Sequence, residues 1–559
     1  MSHLPRIAGE GRGRSIAVVA VLALGQAAAA GVAAFATRDV FAAFRDESAA
    51  LPVTPLALIA LAGLAIAGLR VVERVVAERV GQDYAASLRV KLFTHLTQMS
   101  ARDVSKRRSG GLAMRFVGDL AAVRGWVSLG VARLISASIV LPAATGILFL
   151  LNPHLGLAAA APIAVGLGVM ALVGPRLGPA HKRLRARRAK LAADMSERIP
   201  HAPELRLLGR TKTETAHLLR RTEKLIASAL DRAKGAALLR AVPDAVAGIA
   251  AASLFLVAMK SGAAPAEAAG ALAAVGLMLQ PMRDLAGVWD RHRAWVAARD
   301  KCEIMLSARK LSRPRVAAQA PLPDAPQPLS FAGVSSGVLD GIDIEAAAGR
   351  KIAIVGGNGS GKSTLIGLAA GLEQPKQGAV ALGGRAPSGL GAAERRRAIA
   401  LVGARSPILA GTLRRALVMG APKRPDDKTI LATAEAFGLG DVIERLGGLG
   451  GKVSEGGRNL SAGEARRVLL TRAALAKPTL MLLDEPDDAL DAEGPDLVER
   501  LVRENDATTL IVTHNLAIAR RMDQLWFVED GRIREAGPPA DLLAGNGPTA
   551  RFFAPRRAA

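Results

Sequence analysis

The run Gly356-Gly357-Asn358-Gly359-Ser360-Gly361-Lys362-Ser363-Thr364 has the composition and spacing of a loop that cradles phosphates. Its glycines let successive backbone N–H groups turn inward around an anion, and a helix starting at its end adds the positive pole of its dipole. Lys362 is placed to reach β- and γ-phosphates, and the Ser363 hydroxyl to ligate Mg2+. Lys351–Val355 before the loop reads as a short apolar strand and the residues after it as a helix, the context such a loop requires. Further along, Thr479-Leu480-Met481-Leu482-Leu483-Asp484-Glu485 reads as a second strand, ending in two carboxylates. Phosphoryl transfer to water needs an acid to hold the metal and a base to orient the attacking water; Asp484 suits the first role and Glu485 the second. A third strand, Thr508–Thr513, delivers His514 toward the γ-phosphate. A chance Gly-rich turn, two acids capping a helix and a structural histidine are the plain alternatives, and the three motifs in series outweigh them.

These residues need elements to hold them. The chain has 559 residues, enough for three or four units of roughly 150. Half of it is apolar, which excludes a disordered protein. A single cysteine, Cys302, excludes a disulfide framework and any multi-cysteine metal centre. With 74 basic and 49 acidic residues the net charge is +25, which suits either nucleic acid or an anionic membrane surface.

Position decides between them. Ser15–Thr37, Ser48–Leu69 and Leu134–Pro175 carry no Asp, Glu, Lys or Arg. The last is long enough for two membrane helices of about 20 residues each, with Asn152-Pro153-His154 as the turn between them. Two shorter stretches, Ala245–Met259 and Ala268–Met282, flank Lys260-Ser261-Gly262. Six spans result. Buried helices of a large soluble protein would not give four runs this long, and the first run is too long for a signal-peptide core. Arg6, Arg12 and Arg14 precede the first span; Arg70, Arg74, Arg79, Arg89 and Lys91 follow the second; Arg176, Lys182, Arg183, Arg185, Arg187 and Arg188 follow the fourth. The outer loops hold only Arg38, Arg45 and Lys260, so both termini are expected on the cytoplasmic side. Much of the positive charge is thereby spoken for, against a nucleic-acid partner. The polar connections Val71–Trp126 and Arg176–Arg240 mix charges with apolar residues at helical spacing and read as membrane helices continuing into the cytoplasm. Residues 307–330, rich in Pro and Ala, read as a linker.

With these motifs in place the chain resembles the ATP-binding cassette (ABC) transporters, specifically exporter-type half-transporters. The resemblance implies a multidomain fold: an all-α six-helix transmembrane domain over 1–306, a linker over 307–328, and an α/β P-loop NTPase domain over 329–559. The family signature corresponds to Leu460-Ser461-Ala462-Gly463-Glu464, the D-loop to Asp488-Ala489-Leu490-Asp491, and the switch histidine to His514. Val453–Gly457 resembles the exporter segment that touches the intracellular loops, which makes Glu455 a candidate coupling contact. Leu88–Phe93 and Gly110–Phe116 are similar to the first intracellular loop, and Arg102–Arg108 and Pro200–Leu208 are candidate coupling segments, with solvated basic loops as the alternative.

Three departures stand out. The Q-loop position holds Ala404, the stretch Val334-Ser335-Ser336-Gly337-Val338 lacks the aromatic on which the family stacks adenine, and the signature carries Ala462 and Glu464. The resemblance implies ATP and Mg2+, a lipid bilayer, and a second half-transporter as homo- or heterodimer partner, because each ATP lies between one subunit's P-loop and the other's signature. The implied function is ATP-driven export of an unidentified substrate, with a weakly hydrolysing half of a heterodimer as the second reading. Ala- and Arg-rich usage points to a bacterial inner membrane. Asp244 and Gln280, near the inner membrane edge, are candidate substrate contacts or interface residues, and the scarcity of aromatics argues against a cavity that stacks flat cations.

Overall fold

The computed structural model describes residues 4–44, 51–107, 109–176, 178–311 and 321–554. Arg45, Arg108, the start of the Ser48–Leu69 run and the 312–320 part of the linker lie outside them. The chain divides into two compact units, one formed by Met1–Thr97 with Lys106–Ala308, the other by Gln98–Ser105 with Arg309–Ala559.

The first unit is helical. Among the described residues five helices are long and apolar enough to cross a membrane: α1 (Arg12–Ala43), α2 (Val53–Thr97), α3 (Gly111–Leu151), α4 (Pro153–Leu207) and α5 (Thr211–Ser261). At 1.5 Å per residue the 51 residues of α5 extend about 75 Å, more than twice the roughly 30 Å of a bilayer core. The long polar connections are thus continuations of the membrane helices, as the mixed charge pattern predicts. The expected sixth span corresponds to α6 (Pro265–Ala286), which carries Glu267, Arg283 and Asp284 and is less apolar than the other five. It nonetheless lines the bundle core, where Ala271, Ala274, Met278 and Met282 pack with Ala34, Leu148, Leu155 and Leu254. Helix α7 (Val288–Leu306) completes the unit.

Small residues bring these helices together: Ala23, Ala27, Ala30, Gly31 and Ala34 form the buried face of α1. Large ones such as Val21, Leu24, Leu61, Leu64, Leu150 and Val165 point outward, where acyl chains would solvate them. Several polar groups of the helical unit are paired. Glu73 accepts from Gln26 at 2.6 Å and from Ser136 at 2.7 Å, and Arg133 pairs with Asp284 at 2.9 Å. Asp244 pairs with Arg283 at 2.5 Å, and Gln280 donates to Asp284 at 3.3 Å, so both polar candidates of the sequence have partners on α6. α3 contains two π-helical stretches, Arg115–Asp119 and Trp126–Val131; Gly130 leaves the room that the Trp126 ring occupies.

The second unit is α/β. Strands β1 (Leu329–Ser336), β2 (Leu339–Ala346) and β4 (Gln377–Leu382) form an antiparallel sheet in the order β2-β1-β4. The main sheet has the order β11-β10-β3-β9-β8-β5, with β3 (Lys351–Val355), β5 (Ile399–Val402), β8 (Leu480–Asp484), β9 (Thr508–Val512) and β10 (Gln524–Glu529) parallel, and β11 (Arg532–Gly537) antiparallel at one edge. Two-residue strands β6 (Gly411–Thr412) and β7 (Lys452–Val453) make a separate ribbon. The main sheet is buried on both faces, as a parallel sheet must be. Alternate residues feed two cores: Ile352, Ile354, Leu480, Leu482, Leu510 and Val512 go to one, Ala353, Val355, Met481, Leu483 and Ile511 to the other.

Gln98–Ser105, which the sequence assigns to the membrane half, packs within this unit. Ala101 N donates to Leu372 O at 3.0 Å, Leu311 N to Gln98 O at 2.7 Å, and Arg102 pairs with Glu373 at 2.9 Å.

Candidate functional site

Strand pairing alone brings the three motifs together. Ile354 of β3 lies level with Val512 of β9, and Val512 with Asp484 of β8. Gly356, Glu485 and His514 therefore leave the sheet along its carboxyl edge, where ligands bind in open parallel sheets. Gly356 has φ +147°, and a Cβ there would lie 2.1 Å from the Val528 carbonyl oxygen on β10, so only glycine fits. Gly361, with φ +113°, hands the loop to helix α8 (Lys362–Ala369). Gly357, Asn358 and Gly359 line the exposed rim. The Ser360 hydroxyl is buried with no hydrogen-bond partner among the described residues, a donor suited to a phosphate oxygen.

The Lys362 side chain is buried and its ammonium donates to Gly356 O at 2.7 Å and Gly357 O at 2.9 Å. Burial pulls its pKa down, while Glu485 and Asp484 favour the charged form. Asp484 shows the opposite shift: burial raises its pKa, moderated by a hydrogen bond from Ser363 and the charge of Lys362. Ser363 and Asp484 thus place two hard oxygen donors together, a pair that fits Mg2+. Thr364, half-buried, follows on the first turn of α8.

Glu485 N donates to Val512 O at 2.9 Å, and Glu485 adopts φ +51°, unusual for a residue with a side chain. Its carboxylate is half-exposed and stands 3.3 Å from His514 Nε2. One side of the histidine faces Phe552, whose ring centroid lies 5.9 Å away and packs in turn on Phe527 at 5.7 Å. Phe552 sits in the carboxy-terminal helix Pro548–Phe553, to which sequence reasoning gives no role. The only signal was the Phe552-Phe553 pair in an otherwise polar tail.

The signature forms a second constellation. Ser461 caps helix α9 (Ala462–Ala476): its hydroxyl accepts from Glu464 N at 3.1 Å while the Glu464 carboxylate accepts from Ser461 N at 2.8 Å. Glu464, one of the departures, also pairs with Arg445 at 2.7 Å. Leu460 packs on the core, and Gly463 lies close under the Ala489 carbonyl. Arg466 donates to Asp488 O at 3.2 Å and Arg467 pairs with Asp491 at 2.8 Å, which ties the D-loop to the signature helix; Leu490 packs on the core beside them. The partners of Ser461 thus belong to its own helix and not to the P-loop.

Ala404 is exposed just beyond β5, beside the strand that carries Asp484, and its methyl group offers no ligand. Glu455 is exposed in the turn Glu455–Gly457.

The fold and these motifs define an ATPase of the cassette type joined to a membrane region, and the comparisons agree. The ABC transporter family model matches residues 339–488 and the ABC transporter transmembrane region model matches residues 15–263. The chain belongs to the ABC transporter family. Its domain makeup is that of an exporter-type half-transporter, an ATPase coupled to transport across a membrane. It is 33% identical over 448 residues to a mycobactin import ATP-binding/permease protein, IrtB, of Mycolicibacterium thermoresistibile, covering 75% of this chain and 74% of that one. It is 26% identical over 486 residues to an ATP-dependent lipid A-core flippase of Thiobacillus denitrificans, covering 85% and 84%. A bacterial Atm1-family ABC exporter with ATP bound has the same fold, with a TM-score of 0.81 at 21% identity over 98% of this chain and 99% of that chain.

Proposed function

We propose that two copies of this half-transporter fold, this chain and a second one, clamp two ATP molecules between them and export a substrate from a bacterial cytoplasm. The observation that carries the reading is the convergence of Ser360, Lys362, Asp484, Glu485 and His514 at one sheet edge, in a chain whose other unit consists of apolar helices. The loop amides, Ser360 and Lys362 grip the triphosphate. Ser363 and Asp484 would hold Mg2+, which neutralises charge on the β- and γ-oxygens when bound. Glu485 orients the attacking water and accepts its proton, and His514, 3.3 Å away, fixes that carboxylate and reaches the γ-phosphate.

In this proposal Ser461 and Gly463 complete the partner's site, since among the described residues Ser461 bonds only within its own helix. Closure draws in the coupling segments. Leu207 and Leu208, exposed by 87% and 68%, with Ile199 just before the segment at 67%, give the Pro200–Leu208 segment an apolar face suited to docking on a cassette. The membrane is a bacterial inner membrane with both termini on the cytoplasmic side, in keeping with the arginine distribution and the bacterial relatives.

Cysteines at Gly357 and Ser461 test the clamp. Gly357 has open space and no positive φ. With ATP, the double variant is expected to form a disulfide-linked dimer in membranes. A chain that stays monomeric under oxidation with ATP would refute the clamp. Direction follows from inside-out vesicles, where export predicts ATP-dependent accumulation of substrate.

A further inference from the structure

We propose that Arg102 is the stacking platform for the nucleobase of the bound ATP; the inference rests on the nucleotide reading of the P-loop. A nucleotide gripped by its phosphates gains further affinity from a flat surface under the base, and residues 334–338 supply no aromatic ring.

The turn between β1 and β2 forms the wall next to the cradle. A Cβ on Gly361 would stand 3.2 Å from Val338 Cγ2 and 2.5 Å from Leu339 Cδ2, so this turn abuts the start of α8. Asp340 N also donates to Gly531 O at 2.9 Å, which fixes the turn. Val338 remains 54% exposed beside the loop, where a ribose and base leaving the cradle would pass.

At Gly337, one residue before Val338, the place a side chain would take is filled by Arg102. Both terminal guanidinium nitrogens lie 2.6 Å from the ideal Cβ position, and φ there is +62°. Glycine at 337 thus does two things: it makes the turn and leaves room for the guanidinium.

Arg102 is held firmly in this position. Its guanidinium pairs with Glu373 at 2.9 Å, the neighbouring Ala101 N donates to Leu372 O at 3.0 Å, and the Ser100 hydroxyl accepts from Asp103 N at 3.1 Å. A third of the side chain stays exposed. A guanidinium is planar, keeps its charge and stacks on π-systems, so an edge held by a carboxylate leaves a face for a base. Lysine, a point charge, would keep the ion pair and lose the face. Arg102 sits in the short helix Ala101–Ser105, a few residues after α2 ends at Thr97, so the base would lie against that short helix.

The test is calorimetric titration of the full-length protein in lipid nanodiscs with ATP and, separately, with inorganic tripolyphosphate. Arg102→Ala and Arg102→Lys are each expected to weaken ATP about 5- to 30-fold and to leave tripolyphosphate affinity unchanged. Adding Val338→Trp to Arg102→Ala is expected to restore ATP affinity. Wild-type ATP affinity in both single variants, or equal weakening of both ligands, would overturn the arginine's role. Wild-type protein that binds neither ligand would instead overturn the nucleotide reading itself.

Discussion

Gly356→Ala is the sharpest single-atom test of how the cradle is built. The added methyl carbon would lie 2.1 Å from the Val528 carbonyl oxygen, a contact with backbone that no rotamer change relieves. Val528 cannot easily retreat, because β10 is an inner strand paired to β3 through Trp526↔Ile354 and Phe527↔Val355, with Trp526 fully buried. Alanine at φ +147° adds backbone strain of about 1–3 kcal/mol. Overpacking against the strand adds about 1–3 kcal/mol more. The sum, about 2–6 kcal/mol, is a large part of a typical domain stability of about 5–15 kcal/mol. The cassette's thermal transition should fall by roughly 5–20 °C, and ATP binding should weaken with it. Gly357→Ala is the control: it has an ordinary φ and nothing within 4 Å, so its change should stay within about 0.5 kcal/mol. Scanning calorimetry of the purified protein with and without ATP reads both. A Gly356→Ala protein that melts and binds like the wild type, or a Gly357→Ala protein damaged as badly, would refute the reasoning.

Phe552→Ala removes the ring that covers one side of His514 and should lower ATP turnover about 2- to 10-fold with little change in ATP affinity, while Phe552→Tyr keeps both; steady-state kinetics beside equilibrium titration separates the two. Glu464 has a lowered pKa: burial pushes it up, but the Ser461 N–H and Arg445 outweigh that and hold the carboxylate charged. The support it gives helix α9 is therefore complete above the ordinary carboxylate value of 4.5 and fades as pH falls below it. Between pH 6 and pH 3.5 the wild type should lose more stability than Glu464→Gln, which keeps a capping side chain that does not titrate; equal slopes in melts across that range would dismiss the carboxylate's part.

The catalytic half of the molecule was legible because its motifs are local. The loop Gly356–Thr364 and the strands ending at Val355, Asp484 and Val512 each declare themselves within a dozen residues, and the parallel pairing then brings them to one edge. The charge-free runs were equally plain, since a bilayer demands long uninterrupted apolar stretches. What stayed hidden depends on contacts between distant parts of the chain. Phe552 meets His514 only because the final helix folds back, held where Thr549 N donates to Glu535 at 2.9 Å. Arg102 reads in the sequence as part of a candidate coupling segment or, equally, a solvated basic loop, and its place against Gly337 comes from a tertiary contact with no sequence periodicity. The π-helical stretch Trp126–Val131 opens on Trp126, whose ring stacks on Trp295 and meets His292 edge-on, contacts between distant parts of the chain that no helix pattern encodes. Helix α6 was the weakest of the expected spans because its charges, Asp284 paired with Arg133 and Arg283 with the exposed Asp244, dilute its apolar signal.

The central claim is that ATP held in the glycine-lined cradle is hydrolysed there by Glu485 to drive the membrane helices. Its most direct test is ATP turnover by the purified protein in lipid vesicles, wild type beside Glu485→Gln. The account predicts that wild type hydrolyses ATP, and that the variant still binds it but turns over about 100- to 10,000-fold more slowly. Turnover unchanged by the substitution would contradict it.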